Sequence, residues 1–380
     1  MTNRLLVAAV VVLLGSGCGQ ATGQPAESGG PGGEAQAHAG SGWERLPDPP
    51  LRGRVGAVVT AVDEQVLVAG GWEWLCPPNA DCDYPDTPLL RDGALLEVES
   101  GRWRPIADAP FGLRDGKAGA IGDAVFVLTG CRSSESCDGP LELLSYDTAT
   151  DRWSELGRVP SPAPSYAALV PVGGRLLVLA DTDEYGERPD HLYDPTTGRW
   201  EEVPDDPLPR VYDRWAVDGG VRLLVFGSPT STEAETKLGA AYDLATGSWR
   251  RLPDAPGAGY QVWRSGDEAW LNPHFGSEGG GVLDLRTDTW RPFPGAPEDL
   301  GEDEALDLAG VIGWGDGAYE YSSGLVRDTQ RDRWLRIRKQ TSVTYDERLT
   351  TLGDTLVVFG GQRWQDSDGE LLAETWIWRP

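Results

Sequence analysis

The sequence predicts an all-β fold of seven repeated units, each of four antiparallel strands, and three regularities carry that prediction. An acidic residue is followed six positions later by tryptophan at Glu97 and Trp103, Asp147 and Trp153, Asp194 and Trp200, Asp243 and Trp249, Asp284 and Trp290, and Asp328 and Trp334. Trp43 shares their downstream context without the acidic partner, and the seven anchors recur about every 48 residues, a blade-sized period. Seven tight-turn signals accompany them: Asp63-Glu64, Gly122-Asp123, Gly173-Gly174, Asp218-Gly219-Gly220, Gly266-Asp267, Gly315-Asp316 and Gly353-Asp354. These residues tolerate the positive φ of hairpin turns. Five of the turns lead into apolar runs, Val66-Leu67-Val68-Ala69, Phe126-Val127-Leu128, Leu176-Leu177-Val178-Leu179, Leu223-Leu224-Val225-Phe226 and Leu356-Val357-Val358-Phe359. Runs without polar alternation suit strands covered on both faces. Units of this kind stack into a ring, a seven-bladed β-propeller.

The order within a unit follows from the same signals. After each tryptophan come a short strand and a proline-rich bend, as in Trp200-Glu201-Glu202-Val203-Pro204. A first strand, a tight turn, the apolar second strand, a variable loop and a third strand ending in Tyr-Asp complete the unit. Trp43 stands at a fourth-strand position and Glu374-Thr375-Trp376-Ile377-Trp378 at a third-strand position. The two ends are therefore expected to pair, which removes a free sheet edge.

A double glycine after the second strand, at Gly70-Gly71 and Gly360-Gly361, with Tyr-Asp in the third strand and tryptophan in the fourth, resembles the kelch-type propellers, whose best-known enzyme relative is the central domain of galactose oxidase. The resemblance covers residues 43–380, with the unit around Trp270 degenerate. It implies a propeller scaffold and does not by itself decide among binding, catalysis and assembly. Galactose oxidase works through copper and a cysteine joined to tyrosine, and here the cysteines have other expected uses, so copper radical chemistry is disfavoured.

Residues 1–18 carry Arg4, the apolar run Leu5 to Leu14, and Gly15-Ser16-Gly17-Cys18, a secretory signal too short to span a bilayer. A cysteine at the cleavage point resembles the lipobox of bacterial lipoproteins, with Gly15 where that box has leucine. The implication is acylation at Cys18 and a membrane anchor on the outer face of a bacterial cell, the alternative being an ordinary signal peptide. Residues 19–42 read as a flexible spacer, leaving 43–380 as the propeller. The other cysteines form two close pairs, Cys76 with Cys82 and Cys131 with Cys137, in equivalent loops of neighbouring units. Local disulfides suit an oxidising compartment; a four-thiolate zinc site is the less fitting alternative. With 33 basic against 60 acidic residues and a net charge of −27, nucleic acid is excluded as a partner. The acidic run Glu298 to Glu304 reads as a solvated loop rather than a calcium site.

Signals for catalysis are sparse. The three histidines, His38, His191 and His274, offer few members for a metal site, and there is no nucleophile elbow or phosphate-cradling glycine loop. No metal or cofactor is implied. The loops at 72–92, 131–140, 181–190, 228–238 and 362–372 are expected on one face, where recognition residues concentrate. Around its central mouth the register places Arg54, Arg114, Arg210 and Arg348, with Tyr166, Tyr212, Tyr260, Trp263, Asp307 and Tyr345. Two readings of the arginines stand: struts between blades, or donors for an anionic ligand. The expected function is a noncatalytic binding or interaction module, monomeric, taking a protein or a small anionic or carbohydrate ligand. A metal-independent enzyme such as a sugar mutarotase or epimerase, using Asp115, Asp213 or Asp307, and an envelope-assembly role are the alternatives.

Overall fold

The computed structural model describes the chain from residue 42 to 379 apart from 78–79, 84–86, 132–138, 161–166, 183–188, 231–235, 258, 260–261, 273–278, 295–309, 315–316, 322–324, 329–332, 338–343 and 366–367; between 310 and 336 it describes the backbone alone. Blade 1 comprises Val58–Val62, Gln65–Ala69, Gly93–Glu97 and Arg102–Pro105. Blade 2 comprises Lys117–Ile121, Ala124–Thr129, Glu142–Asp147 and Arg152–Arg158, and blade 3 Ala167–Val172, Arg175–Ala180, His191–Asp194 and Arg199–Glu202. Blade 4 is built from Val211–Asp218, Arg222–Pro229, Leu238–Asp243 and Ser248–Arg251, and blade 5 from Val262–Ser265, Glu268–Leu271, Gly281–Asp284 and Thr289–Arg291. Blade 6 is two consecutive hairpins, Gly310–Trp314 with Gly317–Tyr321 and Leu325–Asp328 with Arg333–Arg336.

Blade 7 closes the ring. Arg348–Leu352, Thr355–Phe359 and Thr375–Trp378 form its inner three strands, and Trp43–Arg45 from the other end of the chain forms the outer one. Trp43 lies opposite Trp378 and Arg45 opposite Trp376, as the register of the sequence requires. Gly42 makes this seam possible: its φ is 71°, and a Cβ there would meet Trp378 Nε1 at 2.6 Å. The first strand of each blade lies against the first strand of the next, from Val58–Val62 round to Arg348–Leu352 and back to Val58–Val62. The chain is thus a seven-bladed β-propeller.

Burial explains the apolar runs. Leu67 and Ala69 face blade 2 and pack with Val125 and Val127, while Val66, their neighbour in the strand, faces blade 7 and packs with Val357 and Ile377. The alternation continues: Phe126 and Leu128 meet Leu176 and Val178, and Leu177 and Leu179 meet Leu223 and Val225. Both faces of every such strand are core, with each fully buried aliphatic side chain stabilising by about 2 kcal/mol.

The acidic-to-tryptophan spacing also acquires a cause. Asp147 Oδ1 accepts from the amides of Ala149 (3.0 Å) and Thr150 (2.8 Å), closing the turn between third and fourth strands. Asp194, Asp243 and Asp284 do the same for residues two and three places on. The turn sets Tyr146 opposite Trp153, Tyr193 opposite Trp200 and Tyr242 opposite Trp249, with ring centroids 5.0, 4.9 and 5.0 Å apart. The indole then reaches out of its blade. Trp103, Trp153, Trp249 and Trp290 donate through Nε1 to the carbonyls of Pro47, Ala107, Pro204 and Pro253, each on the segment leaving the outer strand of the preceding blade.

Two features depart from the sequence reading. The unit around Trp270 is a complete four-stranded blade, in which Trp270 stands opposite Trp263 and stacks beside it. The insertion at 362–372 is a hairpin, Gln362–Gln365 with Asp368–Leu371, extended by Thr344–Tyr345 into a three-stranded sheet. The Gly315-Asp316 turn lies outside the described residues. The other predicted hairpin turns contain a residue with positive φ: Asp63, Gly122, Gly173, Gly220, Gly266 and Gly353.

Trp43→Ala should cost about 3 kcal/mol in urea unfolding, since it empties a buried indole site in the closing seam. Deleting residues 43–46 should lower the melting temperature further and produce aggregation through the uncovered edge of Thr375–Trp378. A wild-type melting temperature for the deletion would contradict closure by this strand.

Candidate functional site

On the long-loop face, the described residues build a connected cluster where blades 7, 1 and 2 meet. Asp115, at the entrance to the first strand of blade 2, adopts the left-handed conformation (φ 52°), and its amide donates to Gly56 O at 2.9 Å. Its carboxylate accepts from Arg348 at the entrance of blade 7, spanning blade 1. Arg114 runs beneath, its guanidinium 4.5 Å from the centre of the Trp72 ring and its Nε 3.5 Å from Asp115 Oδ2. Trp74 stacks on Trp72 with centroids 4.8 Å apart. The backbone holds these groups: Trp72 exchanges two hydrogen bonds with Val55, and Gly56 is hemmed in by Arg114, Asp115 and Trp72.

The loop carrying Trp74 is fixed at two points. Cys76 and Cys82 form the expected disulfide, with Cα atoms 5.9 Å apart. The Cys76 amide donates to Gln362 Oε1 at 3.2 Å, and the same oxygen accepts from Trp364 Nε1 at 3.2 Å. Gln362 Nε2 in turn donates to Asp346 Oδ2 at 2.5 Å. A stapled loop of blade 1 and a hairpin of blade 7 therefore make one surface. Cys131 is also disulfide-bonded; Cys137 lies outside the described residues.

The predicted mouth residues divide. Arg114 and Arg348 come together around Asp115, and Tyr345 sits half-buried on the strand paired with Gln362. Arg210 and Tyr212 are exposed at the entrance of blade 4, apart from this cluster. Tyr166, Tyr260 and Asp307 lie outside the described residues. Arg54 is not a ligand donor. Its side chain is fully buried, with Nη1 and Nη2 on Asp92 at 2.8 and 2.9 Å, Nη1 on Gly70 O and Nε on Arg52 O. Trp263 is likewise corrected to core, stacked beside Trp270 and edge-on to Phe293.

The arginine that plays the strut in blade 4 is Arg214, which the sequence reading passed over for Arg210. It is buried, forks onto Asp190 at 3.0 and 2.7 Å, and also reaches Asp206 at 2.9 Å and Ala180 O at 3.0 Å. A bulge between Tyr212 and Trp215 displaces the register that would have pointed to it. The buried Lys237 was also missed. Burial pushes its ammonium down to about 8, against the pull of Asp213, and Nζ donates to Gly259 O at 3.3 Å. Among the described residues no group of three or more His, Cys, Asp and Glu side chains is arranged to hold a metal ion.

The Arg54 guanidinium holds the Asp92 carboxyl below the usual carboxylate range. A depressed folded-state value means the pair stabilises at neutral pH and that this contribution is lost as pH falls through the folded value. Asp92→Asn should lower stability at pH 7 by about 2 kcal/mol, because a buried guanidinium loses its counter-ion. The gap between variant and wild type, read from thermal melts, should close at acid pH; a gap independent of pH would contradict the strut.

A stretch of 111 residues is 30% identical to Kelch-like protein 35 of Mus musculus, covering 29% of this chain and 18% of that protein. The chain thus matches only a minor part of that relative's length. No protein-family model matches the chain. The seven blades, the repeated tryptophan latch and this kelch-like stretch together fit a kelch-type β-propeller.

Proposed function

We propose that this chain is a noncatalytic, kelch-type binding module that works outside the cell, held to the outer face of a bacterial membrane through Cys18. Its partner, a protein or a small anionic or carbohydrate ligand, would dock on the long-loop face over blades 7, 1 and 2. The observation that carries this reading is the construction of that face. A rigid ring supports it, a disulfide stiffens the loop bearing Trp74, and Gln362 ties that loop to the hairpin of blade 7. Stiffening lowers the entropy cost of ordering a contact surface. Aromatic and arginine side chains, here Trp74, Trp364 and Arg348, are the usual anchors of such surfaces. The exported location rests on residues 1–18, the spacer and the cysteine pairs.

Carboxylates at this mouth have partners within the fold: Asp115 accepts from Arg348, Asp346 from Gln362 and Glu347 from Thr344. This favours recognition over turnover.

A thermal-shift screen of residues 19–380 with sugars, sugar acids and peptides should return a ligand whose affinity falls by about tenfold or more in Trp74→Ala and Arg348→Ala, a loss typical of interface anchors. Both variants should keep the wild-type melting temperature. Ligands that bind both variants like wild type would move the site elsewhere. Turnover of a sugar abolished by Asp115→Asn would replace the binding reading with the mutarotase-like one.

A further inference from the structure

The two loops joined by Gln362 present an apolar patch of fixed geometry. Leu75, 39% exposed, is one of three large hydrophobic side chains left exposed among the described residues, and Trp74 beside it is half-buried. Trp364, on the hairpin of blade 7, is half-buried as well and stands opposite Gly369. A Cβ at Gly369 would meet three carbons of that indole at 2.6–2.7 Å, so the ring covers the glycine with its face. Because Trp364 Nε1 and the Cys76 amide donate to the same oxygen of Gln362, the indole and the stapled loop are neighbours, and the ring cannot turn without breaking a hydrogen bond.

The segments that carry this patch are acidic. Positions 72–90 hold Glu73, Asp81, Asp83 and Asp86 and no basic residue, and positions 362–374 hold four acidic residues and one arginine, Arg363, which is taken up by Glu370 at 2.7 Å and Glu374 at 3.1 Å. Arg348 is engaged by Asp115, and Arg114 lies under Trp72. The exposed carboxylates Asp81, Asp83 and Asp368 have no ion pair among the described residues. Asp346, also exposed, accepts from the neutral amide of Gln362, whose other end holds Trp364, so a charged carboxylate stands close to the indole. Asp368 adjoins the glycine under the ring. A half-open indole with carboxylates near it suits a guanidinium, which is drawn to the negative face of the ring, lies flat on it and donates to the carboxylates. A sugar would use the ring and leave the charge unanswered; an anion would be repelled.

We propose that the partner of this face is a basic polypeptide segment, with an arginine stacked on Trp364 and paired to Asp346 or Asp368, an aliphatic neighbour on Leu75 and Trp74, and a further basic residue at Asp81 and Asp83. The proposal rests on the binding reading of the long-loop face and fixes the chemistry of what binds there. The test is fluorescence anisotropy of a labelled Arg-Leu-Arg-Arg-Leu-Arg peptide on the folded chain, beside counterparts with citrulline or glutamate in place of arginine. Expected results are salt-sensitive binding of the arginine peptide and none of the other two. Trp364→Ala should weaken binding by about fivefold or more, the size of a partly desolvated cation–π contact, and Trp364→Phe by less. Asp81→Asn, Asp83→Asn and Asp368→Asn together should weaken it by about tenfold. Removing the same charge elsewhere, with Glu99→Gln, Glu155→Gln and Glu202→Gln on exposed positions of blades 1 to 3, should change it by about twofold at most. Circular dichroism checks that the variants fold. No binding of the arginine peptide, equal binding by the citrulline peptide, or equal losses in the two triple variants would overturn the proposal. If the arginine peptide fails while a sugar or an anion binds and is lost in Trp74→Ala, the face remains the binding site and the basic partner is wrong; if no class of ligand responds to Trp74→Ala, both readings fall.

Discussion

The constraint on which the rest of the structure depends is that no blade can bury its own faces. A four-stranded sheet standing upright in the ring has core on both sides only because a neighbour stands on each side, as Val66 and Leu67 show by packing in opposite directions from adjacent positions. Stability is thus a property of seams, and the seams come as a closed set. If blade 7 loses its outer strand, the loss reaches blade 1, since Val357 and Ile377 share a cluster with Val66 and Leu96. The indole hydrogen bonds from one blade's outer strand to the exit segment of the previous one add a directional restraint to an otherwise non-directional apolar contact.

The blade count, the closing strand and the local disulfide at Cys76 were legible in the sequence because each depends on local periodicity. Turn residues, alternation and spacing repeat wherever the same physics repeats. The site was less legible, because it depends on where the repeats differ. Arg54 and Arg348 occupy similar entrances, yet Arg54 is consumed by Asp92, one position ahead of the third strand, while Arg348 crosses to another blade. Only the partner's position distinguishes the roles, and that partner is distant in sequence. Arg214 was hidden by a bulge, a one-residue shift that periodic reasoning does not anticipate. The hairpin at Gln362–Gln365 and Asp368–Leu371 was hidden by short strands with little apolar alternation.

Buried charge follows a rule of its own here. Arg54 with Asp92, and Arg214 with Asp190 and Asp206, place forked guanidiniums that also donate to a backbone carbonyl, Gly70 O in one case and Ala180 O in the other, while Asp190 accepts from the Ala180 amide. Apolar residues at these loop junctions would leave such carbonyls and amides without partners, and burying an unpaired backbone group costs more than an average hydrogen bond returns. The arginines therefore act as substitutes for water at places where loops dive into the ring.

The tether from the Cys76 amide to Gln362 joins positions 286 residues apart. It can form only after the last blade has found the first, so the surface made by these two loops does not exist on any partly synthesised or partly folded chain. A partner that reads this surface would in effect be reading completion of the ring. Immature molecules would be silent, and recognition would double as an inspection of folding.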